Sequence, residues 1–248
     1  MGSFSQKTIL GIPLTALTLA DIPQVVVSLI QSSGKKTFFY VNAHCLNLAN
    51  QDKEYKKILQ QASLVYSGGI GPILASKILG RPLLERTPTP DFIFDVFLIA
   101  QQKNWSVYLL GTKKGSLQKT VNKLQKKFPE LKIVGYHHGF FNAQEEKEIM
   151  KEINLKKPTM VIVGMGTPKQ EKWIADHKNK LDTKVLWVVG ALFDVISGEL
   201  PRAPVFWQKL GLEWAYRLYQ EPTRLWKRYT IGNLEFAWRV AKEYLVSK

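Results

Sequence analysis

Short apolar runs alternate with amphipathic stretches along most of the chain. The runs that predict buried strands are Thr8–Ile12, Lys36–Asn42, Leu64–Tyr66, Ser106–Leu110, Lys132–Val134, Thr159–Val163 and Val185–Val189. Stretches with helical periodicity lie between them, beginning near Asp21 and continuing through Asp52–Gln61, Pro72–Leu79, Phe92–Gln102, Ser116–Phe128, Ala143–Lys156 and Pro168–Lys178. Alternating strands and helices predict an α/β fold with a doubly wound parallel sheet.

The pattern changes after Ser197-Gly198. Pro201–Pro204 is a stiff break, and two amphipathic helices are expected beyond it, over Trp207–Tyr219 and Arg224–Val246. From residue 201 onward there are nine Lys or Arg against four Glu, together with four of the seven Trp. We therefore divide the chain into an α/β core (1–200) and a helical, basic, Trp-rich appendage (201–248) whose composition suits a membrane interface.

Composition narrows the classes of protein. The net charge of +15 favours a nucleic acid, an anionic membrane surface or a phosphorylated substrate, although solubility alone is an alternative. No nucleic-acid-binding motif accompanies the charge. The single cysteine, Cys45, suits a reducing compartment, and neither a signal peptide, a myristoylation motif nor a membrane-spanning run is found. We expect a protein that is soluble or peripheral to a membrane.

The stretch Val161–Glu171 is the strongest candidate for a ligand site. A buried strand is followed by glycines and then by a helical pattern, with Thr167 expected as the N-cap and Pro168 as the first helical residue. Backbone N–H groups at such a turn attract anions. Lys169 and Gln170 could then reach a phosphate or a sugar, and the alternative is an ordinary strand-to-helix turn.

Other glycine-rich segments follow predicted strands. Gly68 and Gly69 lie in Ser67–Gly71, Gly111 begins Gly111–Gly115, and Gly135 begins a loop that reaches Phe141. A glycine lets the backbone approach a ligand closely, but each segment could also be a tight turn. The Gly111 turn lacks both the Walker ending and the dinucleotide spacing. His137 and His138 have no further ligands at metal spacing, so no metal site is expected.

Two further groups carry candidate chemistry. His44 follows a strand end and is a candidate acid or base, with a structural histidine as the alternative. Arg217, Arg224 and either Lys227 or Arg228 would share one helix face if the register carried through, and could clamp a diphosphate. A solvated helix face is the alternative there.

Three stretches together resemble one family. They are Gly164–Glu171 (GMGTPKQE), Gly190–Pro204 (GALFDVISGELPRAP) and Leu212–Tyr229 (LEWAYRLYQEPTRLWKRY), and they are similar to the WecG/TagA/CpsF bacterial glycosyltransferases. The resemblance implies a Rossmann-like core and transfer of a hexose or N-acetylhexosamine from a UDP-sugar to an undecaprenyl-diphosphate-linked acceptor. It also implies inversion without metal or cofactor, cell-surface polysaccharide synthesis at the inner face of the membrane, and self-association into a dimer or trimer.

The resemblance also assigns expected roles to individual residues. Gln170 matches the family's active-site glutamine, and Asn42 matches the asparagine of an early motif. The resemblance places Gly190 and Asp194 in a segment near the nucleotide and matches Arg202 to the arginine of an Arg-Ala-Pro motif. Beside these three, we expect the donor to contact Gly68, Gly69, Thr87, Gly111, Gly135, Gly166 and Lys169. The positions expected to hold the lipid diphosphate are Arg217, Arg224, Lys227 and Arg228.

Two departures from the family pattern bear on catalysis. Tyr40 replaces a threonine, and Gly68 replaces the aspartate that the family favours as general base. A glycine cannot accept a proton, so we hypothesise that His44, titrating near physiological pH, is the base for direct displacement at the anomeric carbon. The alternative is a UDP-sugar-binding pseudoenzyme or an assembly subunit.

Overall fold

A computed structural model describes residues 4–246, which begin with a small hairpin. Strands β1 (Gln6–Ile9) and β2 (Ile12–Thr15) pair in antiparallel fashion. The expectation of one strand over Thr8–Ile12 was wrong, because Leu10 and Gly11 adopt φ values of 50° and 76° and reverse the chain. The N-terminal signals discussed above fall partly on residues 1–3, which lie outside the described residues.

The central sheet has six parallel strands. They are β3 (Lys36–Val41), β4 (Leu64–Ser67), β5 (Ser106–Gly111), β6 (Lys132–His137), β7 (Met160–Gly164) and β8 (Val185–Val188). Their order is β4-β3-β8-β7-β5-β6, and all their pairings are parallel. This order confirms the doubly wound, Rossmann-like α/β class and places all six carboxyl ends along one edge.

Helices cover both faces of this sheet. Those of the core are α1 (Ile22–Gln31), α2 (Ala43–Gln51), α3 (Lys53–Gln60), α4 (Ile70–Ile78), α5 (Thr89–Gln102), α6 (Lys114–Lys127), α7 (Ala143–Lys156), α8 (Lys169–His177) and α9 (Leu192–Ser197). Apolar side chains of α1, α5, α6 and α9 fill one face of the sheet. Those of α2, α3, α7 and α8 fill the other.

Strand β6 is longer than expected. Gly135 belongs to this strand and does not begin a loop. A Cβ atom at Gly135 would lie 2.5 Å from Cε2 of Tyr108, so the glycine lets the edge strand close over a buried ring. The short helix α9 was not expected, since it has only six residues.

The helices of the appendage are shorter than the sequence predicts. Its helices are α10 (Val205–Lys209), α11 (Glu213–Gln220), α12 (Pro222–Tyr229) and α13 (Ile231–Val246). The expected helices over Trp207–Tyr219 and Arg224–Val246 were therefore wrong in their continuity, because Gly211 (φ 72°) interrupts the first and Thr230 separates α12 from α13 within the second. Residues 247 and 248 lie outside the described part.

Helix α13 fastens the appendage to the core. Phe236 and Val240 join the apolar cluster on the α2 side of the sheet. The Asn47 side chain donates to the carbonyl of Gly232 at 2.6 Å, and Arg239 donates to the carbonyl of Asn47 at 3.0 Å. Within residues 4–246, no helix is both long and apolar enough to cross a membrane.

Candidate active site

Three glycines form a close-packed backbone floor at the carboxyl edge of the sheet. Gly111 ends β5, Gly164 ends β7, and Gly190 follows β8. A Cβ atom at Gly111 would overlap the carbonyl oxygen of Gly164, and one at Gly164 would lie 2.8 Å from the carbonyl oxygen of Gly190. Gly190 also has a positive φ of 58°. Only glycine fits these positions, which we call the glycine floor.

Tyr40 extends this edge beside the glycine floor. A Cβ atom at Gly68 would lie 2.7 Å from Cδ2 of Tyr40, and one at Gly190 would overlap the Tyr40 hydroxyl. The Tyr40 ring therefore occupies the space that side chains at both flanking positions would need. The two departures noted in the sequence, at 40 and 68, are thus one structural change.

A cavity of about 1270 Å³ opens above this edge and is covered by α11 and α12. Most of the expected site residues line it. They are Asn42, His44, Gly68, Gly69, Gly166, Lys169, Gly190, Asp194, Arg202, Arg217, Arg224 and Arg228. The cavity therefore brings together residues from both the core and the appendage.

Five expected site residues do not line the cavity. Gln170 and Thr87 are 0% and 1% exposed, and Thr87 donates to the Ser67 carbonyl at 3.1 Å. Gly111 lies beneath its neighbour Thr112, which does line the cavity. Gly135 lies within β6, and Lys227 turns its ammonium toward the Trp226 ring at 5.6 Å. The structure therefore does not support direct contact between these five residues and a ligand in the cavity.

Gln170 and Thr167 organise the turn that precedes α8. The Gln170 carbonyl oxygen accepts from the Gly190 backbone N–H at 3.2 Å, and its Nε2 donates to Glu171 at 3.0 Å. Thr167 was expected to cap the helix, but Pro168 occupies the N-cap after a cis Thr167–Pro168 peptide bond. The Thr167 hydroxyl instead donates to Oε1 of Glu171 at 2.8 Å.

His44 lies in the cavity wall, but its titration differs from the expectation. Burial, followed by the nearby Arg228 charge, lowers the pKa of His44 to about 4. The idea that His44 titrates near physiological pH was therefore wrong, and its imidazole is a weak base. Asn42 caps α2 by accepting from the Cys45 backbone N–H at 3.1 Å, so it holds His44 in place.

A cluster of four charged side chains lies at one side of the cavity. Arg202 pairs with Asp91 at 2.5 Å and with Glu213 at 3.2 Å. Arg86 lies 3.7 Å from Asp91 and 3.9 Å from Glu213. The cluster joins the core to α11. Arg86 lines the cavity and was missed, although its position before the Thr-Pro-Thr-Pro loop was a usable signal.

The appendage contributes three arginines to the cavity. Nε of Arg217 and Nε of Arg228 are buried and have no hydrogen-bond partner among the described residues. Arg224 is paired with Glu221, with its Nε 2.8 Å from the carboxylate. Although the helical register breaks at Glu221, these arginines still face one space. Arg217 and Arg228 form no ion pair among the described residues, so their guanidinium groups remain available to bind an anion in the cavity.

Two further residues that line the cavity, Asp194 and Lys169, are fixed in place by contacts with the core. Asp194, in the first turn of α9, accepts a short hydrogen bond from the Thr112 hydroxyl. Lys169 donates to the Gly139 carbonyl at 2.8 Å, and its ammonium lies 5.2 Å from the Phe141 ring. Both side chains are therefore fixed at the wall of the cavity by their neighbours.

A glycine floor below and arginines above, at the carboxyl edge of a parallel sheet, define an α/β protein built to hold an anionic ligand. Comparison with known proteins names the class more closely. The model of the glycosyl transferase WecG/TagA/CpsF family matches residues 7–248. The chain therefore belongs to this family and is a glycosyltransferase.

Curated relatives agree with the family match. Two proteins of Staphylococcus aureus, from strains MW2 and MRSA252, are 31% and 32% identical to this chain over 240 residues. The matched region covers 94% of this chain and 91% of each relative. Both are named N-acetylglucosaminyldiphosphoundecaprenol N-acetyl-beta-D-mannosaminyltransferase.

Proposed function

We propose that this protein transfers N-acetylmannosamine or a similar hexose from a UDP-sugar to a polyprenyl-diphosphate-linked N-acetylglucosamine, in the synthesis of a cell-surface polysaccharide. Family membership and the names of the relatives support the sugar and the acceptor. The observation that carries the proposal is the pair of unpartnered guanidinium nitrogens on Arg217 and Arg228 above the glycine floor. The reaction proceeds with inversion, by direct displacement, and without metal or cofactor.

The donor lies on the core side of the cavity. The backbone at Gly166, which has a positive φ, borders this space and offers its N–H group to the leaving diphosphate. Gln170 acts from behind by accepting from the Gly190 N–H, so it positions this turn and does not contact the sugar. Preorganised donors stabilise UDP as its negative charge develops.

The acceptor diphosphate lies on the appendage side. Arg217 and Arg228 bind its oxygens, because both guanidinium groups line the cavity and form no ion pair among the described residues. Arg224 contributes charge although it is paired with Glu221. This arrangement separates the two diphosphates across one cavity, so that the acceptor hydroxyl can approach the anomeric carbon from the face opposite UDP.

The appendage also meets the membrane that holds the acceptor. Apolar side chains are unusually exposed on it, including Phe206 at 70%, Leu234 at 73% and Trp238 at 69%. Together with the basic residues, they suit peripheral binding at the inner face of the membrane, where each basic residue near an anionic surface contributes about 1 kcal/mol. Pelleting with anionic vesicles and not with neutral ones is expected, and equal pelleting with both would contradict this part.

The function is tested by acceptor-dependent UDP release. Purified protein is incubated with UDP-N-acetylmannosamine, UDP-glucose or UDP-glucuronate, with and without a short-chain polyprenyl-diphosphate N-acetylglucosamine. Release that requires the acceptor supports the transferase. Donor binding without release would favour the second candidate, a UDP-sugar-binding pseudoenzyme or assembly subunit, which Gly68 motivates. Dimer or trimer formation is part of the proposal and is measured by light scattering.

A further inference from the structure

Glu171 is a fully buried carboxyl group next to the cavity. It is 0% exposed, and no cation pairs with it among the described residues. Its Oε1 accepts from the Thr167 hydroxyl at 2.8 Å and from Gln170 Nε2 at 3.0 Å. Its Oε2 is buried and has no hydrogen-bond partner within residues 4–246. A buried carboxyl group with an unpartnered oxygen destabilises the fold, and this free-energy cost points to a functional role for Glu171.

Thr167 connects this carboxyl group to the cavity. The residue lines the cavity, while its hydroxyl points its proton inward to Glu171. The same oxygen accepts from Gln170 Nε2 at 3.3 Å, and Cys45 Sγ lies 4.0 Å away. A proton arriving at Thr167 from the cavity can therefore leave through a hydrogen bond that already exists.

The surroundings of Glu171 keep its proton affinity high. Burial raises its pKa to about 7, and the hydrogen bonds from Gln170 and Thr167 limit the rise. The titratable groups that face it are Tyr40 from β3, Cys45 from α2 and Tyr55 from α3. Burial raises the pKa of each of these three, so they remain neutral. The ionised carboxylate is thus available near neutral pH and is matched to general-base work.

Other acid–base groups at the cavity are less suited to accept a proton. Three of the four carboxylates that line it are ion-paired, unlike Glu171: Glu199 with Lys119, Glu213 with Arg202 and Glu221 with Arg224. The fourth, Asp194, accepts a short hydrogen bond from the Thr112 hydroxyl. His44, with its pKa near 4, is a much weaker base than a carboxylate with a pKa near 7.

We propose that Thr167 and Glu171 form a proton relay that takes the proton from the acceptor hydroxyl. The inference rests on the proposed function. The acceptor oxygen forms a bond to the anomeric carbon while the bond from that carbon to UDP breaks, and UDP leaves with the electron pair. The acceptor proton passes to the Thr167 oxygen as the Thr167 proton passes to Glu171. After the products leave, the proton returns from Glu171 to the Thr167 oxygen while the outer Thr167 proton passes to water in the cavity, which restores both groups for the next turnover.

Two matched pairs of variants test the relay. Glu171→Gln keeps the size of the side chain and much of its hydrogen bonding but cannot accept a proton. Its control is Glu54→Gln, at an exposed glutamate paired with Lys172 outside the cavity. Thr167→Val removes the connecting hydroxyl, and its control Thr167→Ser keeps one. Transfer is measured from pH 5 to 9, together with donor binding and thermal unfolding.

The relay makes a specific prediction for each pair. Glu171→Gln lowers kcat by about 10²–10⁴-fold with little change in donor binding, and Glu54→Gln changes neither. Wild-type kcat rises with pH through about 7, because Glu171 must be ionised, and this rise disappears in Glu171→Gln. Thr167→Ser restores most of the rate that Thr167→Val loses.

The opposite results separate the relay from the function on which it rests. If Glu171→Gln has a kcat within twofold of the wild type and the same pH profile, the relay is wrong but the proposed function stands. Equal rates in Thr167→Val and Thr167→Ser also overturn the relay. This second pair tests the relay even if Glu171→Gln fails to fold. No acceptor-dependent transfer by the wild type with any donor overturns the proposed function, and the relay with it.

Discussion

Tyr40 and Gly68 should be energetically coupled, and Gly68→Ala measures the coupling. The added Cβ atom would lie 2.7 Å from Cδ2 of Tyr40 and 3.2 Å from its Cβ and Cγ. The ring cannot turn toward Gly190 without contacting that backbone. Overpacking of this kind costs about 1–3 kcal/mol. The reduced freedom of the unfolded chain offsets about 0.4–1 kcal/mol of this cost.

A double-mutant cycle isolates this clash. In the wild-type background, Gly68→Ala should lower the free energy of unfolding by about 1–2 kcal/mol, which is the middle of the range left when the offset is subtracted from the cost. This corresponds to a fall in Tm of about 2–8 °C for a chain of this size. In a Tyr40→Thr background the same change should be neutral or stabilising, giving a coupling energy of about 1–3 kcal/mol. Urea unfolding of the four proteins measures each value.

Tyr40→Phe provides the matched control for the cycle. This variant keeps the ring that a Cβ at Gly68 would contact, so Gly68→Ala should remain destabilising in it. If Gly68→Ala has the same effect in all three backgrounds, the ring does not exclude a side chain at position 68. The account of positions 40 and 68 as one structural change would then fail.

Three other predictions concern the cavity. Arg217→Ala and Arg228→Ala should each raise the acceptor KM about tenfold or more, with donor KM unchanged; equal effects on both substrates would refute their assignment to the acceptor. His44→Ala should leave the pH dependence of kcat between pH 5 and 8 unchanged, since an imidazole with a pKa near 4 stays neutral there; loss of the rise near pH 7 would identify His44 as the base. Gln170→Ala should destabilise the fold by about 1–3 kcal/mol in urea unfolding, because the buried Gly190 N–H loses its partner, and an unchanged midpoint would contradict this.

The parallel strands of the central sheet follow from simple features of the sequence, but their order does not. Each apolar run of the core, such as Val185–Val188, is too short for a helix and lies between helical patterns, which leaves a parallel sheet as the solution. The edge strand β6 was cut short at Gly135 because a glycine in a polar run usually indicates a turn. Only the position of the Tyr108 ring explains why this glycine continues the strand.

The sequence predicted which residues belong to the site better than it predicted how their side chains are arranged. A glycine turn between a buried strand and a helix predicted the site at Gly166, whereas Gly190 and Asp194 were assigned from the family resemblance. The burial of Gln170 and Glu171 could not be predicted from the sequence, because both lie in the first turn of an amphipathic helix, where polar side chains usually face solvent. Nor could the sequence show that the Tyr40 ring occupies the space beside Gly68.

The most direct test of the central claim is UDP release from UDP-N-acetylmannosamine by the purified protein, with and without polyprenyl-diphosphate N-acetylglucosamine. The account predicts release that depends on the acceptor and a product that carries one added N-acetylhexosamine. UDP-N-acetylmannosamine that binds but is never transferred, with the other UDP-sugars also silent, would contradict the assignment of this cavity as the centre of a working glycosyltransferase.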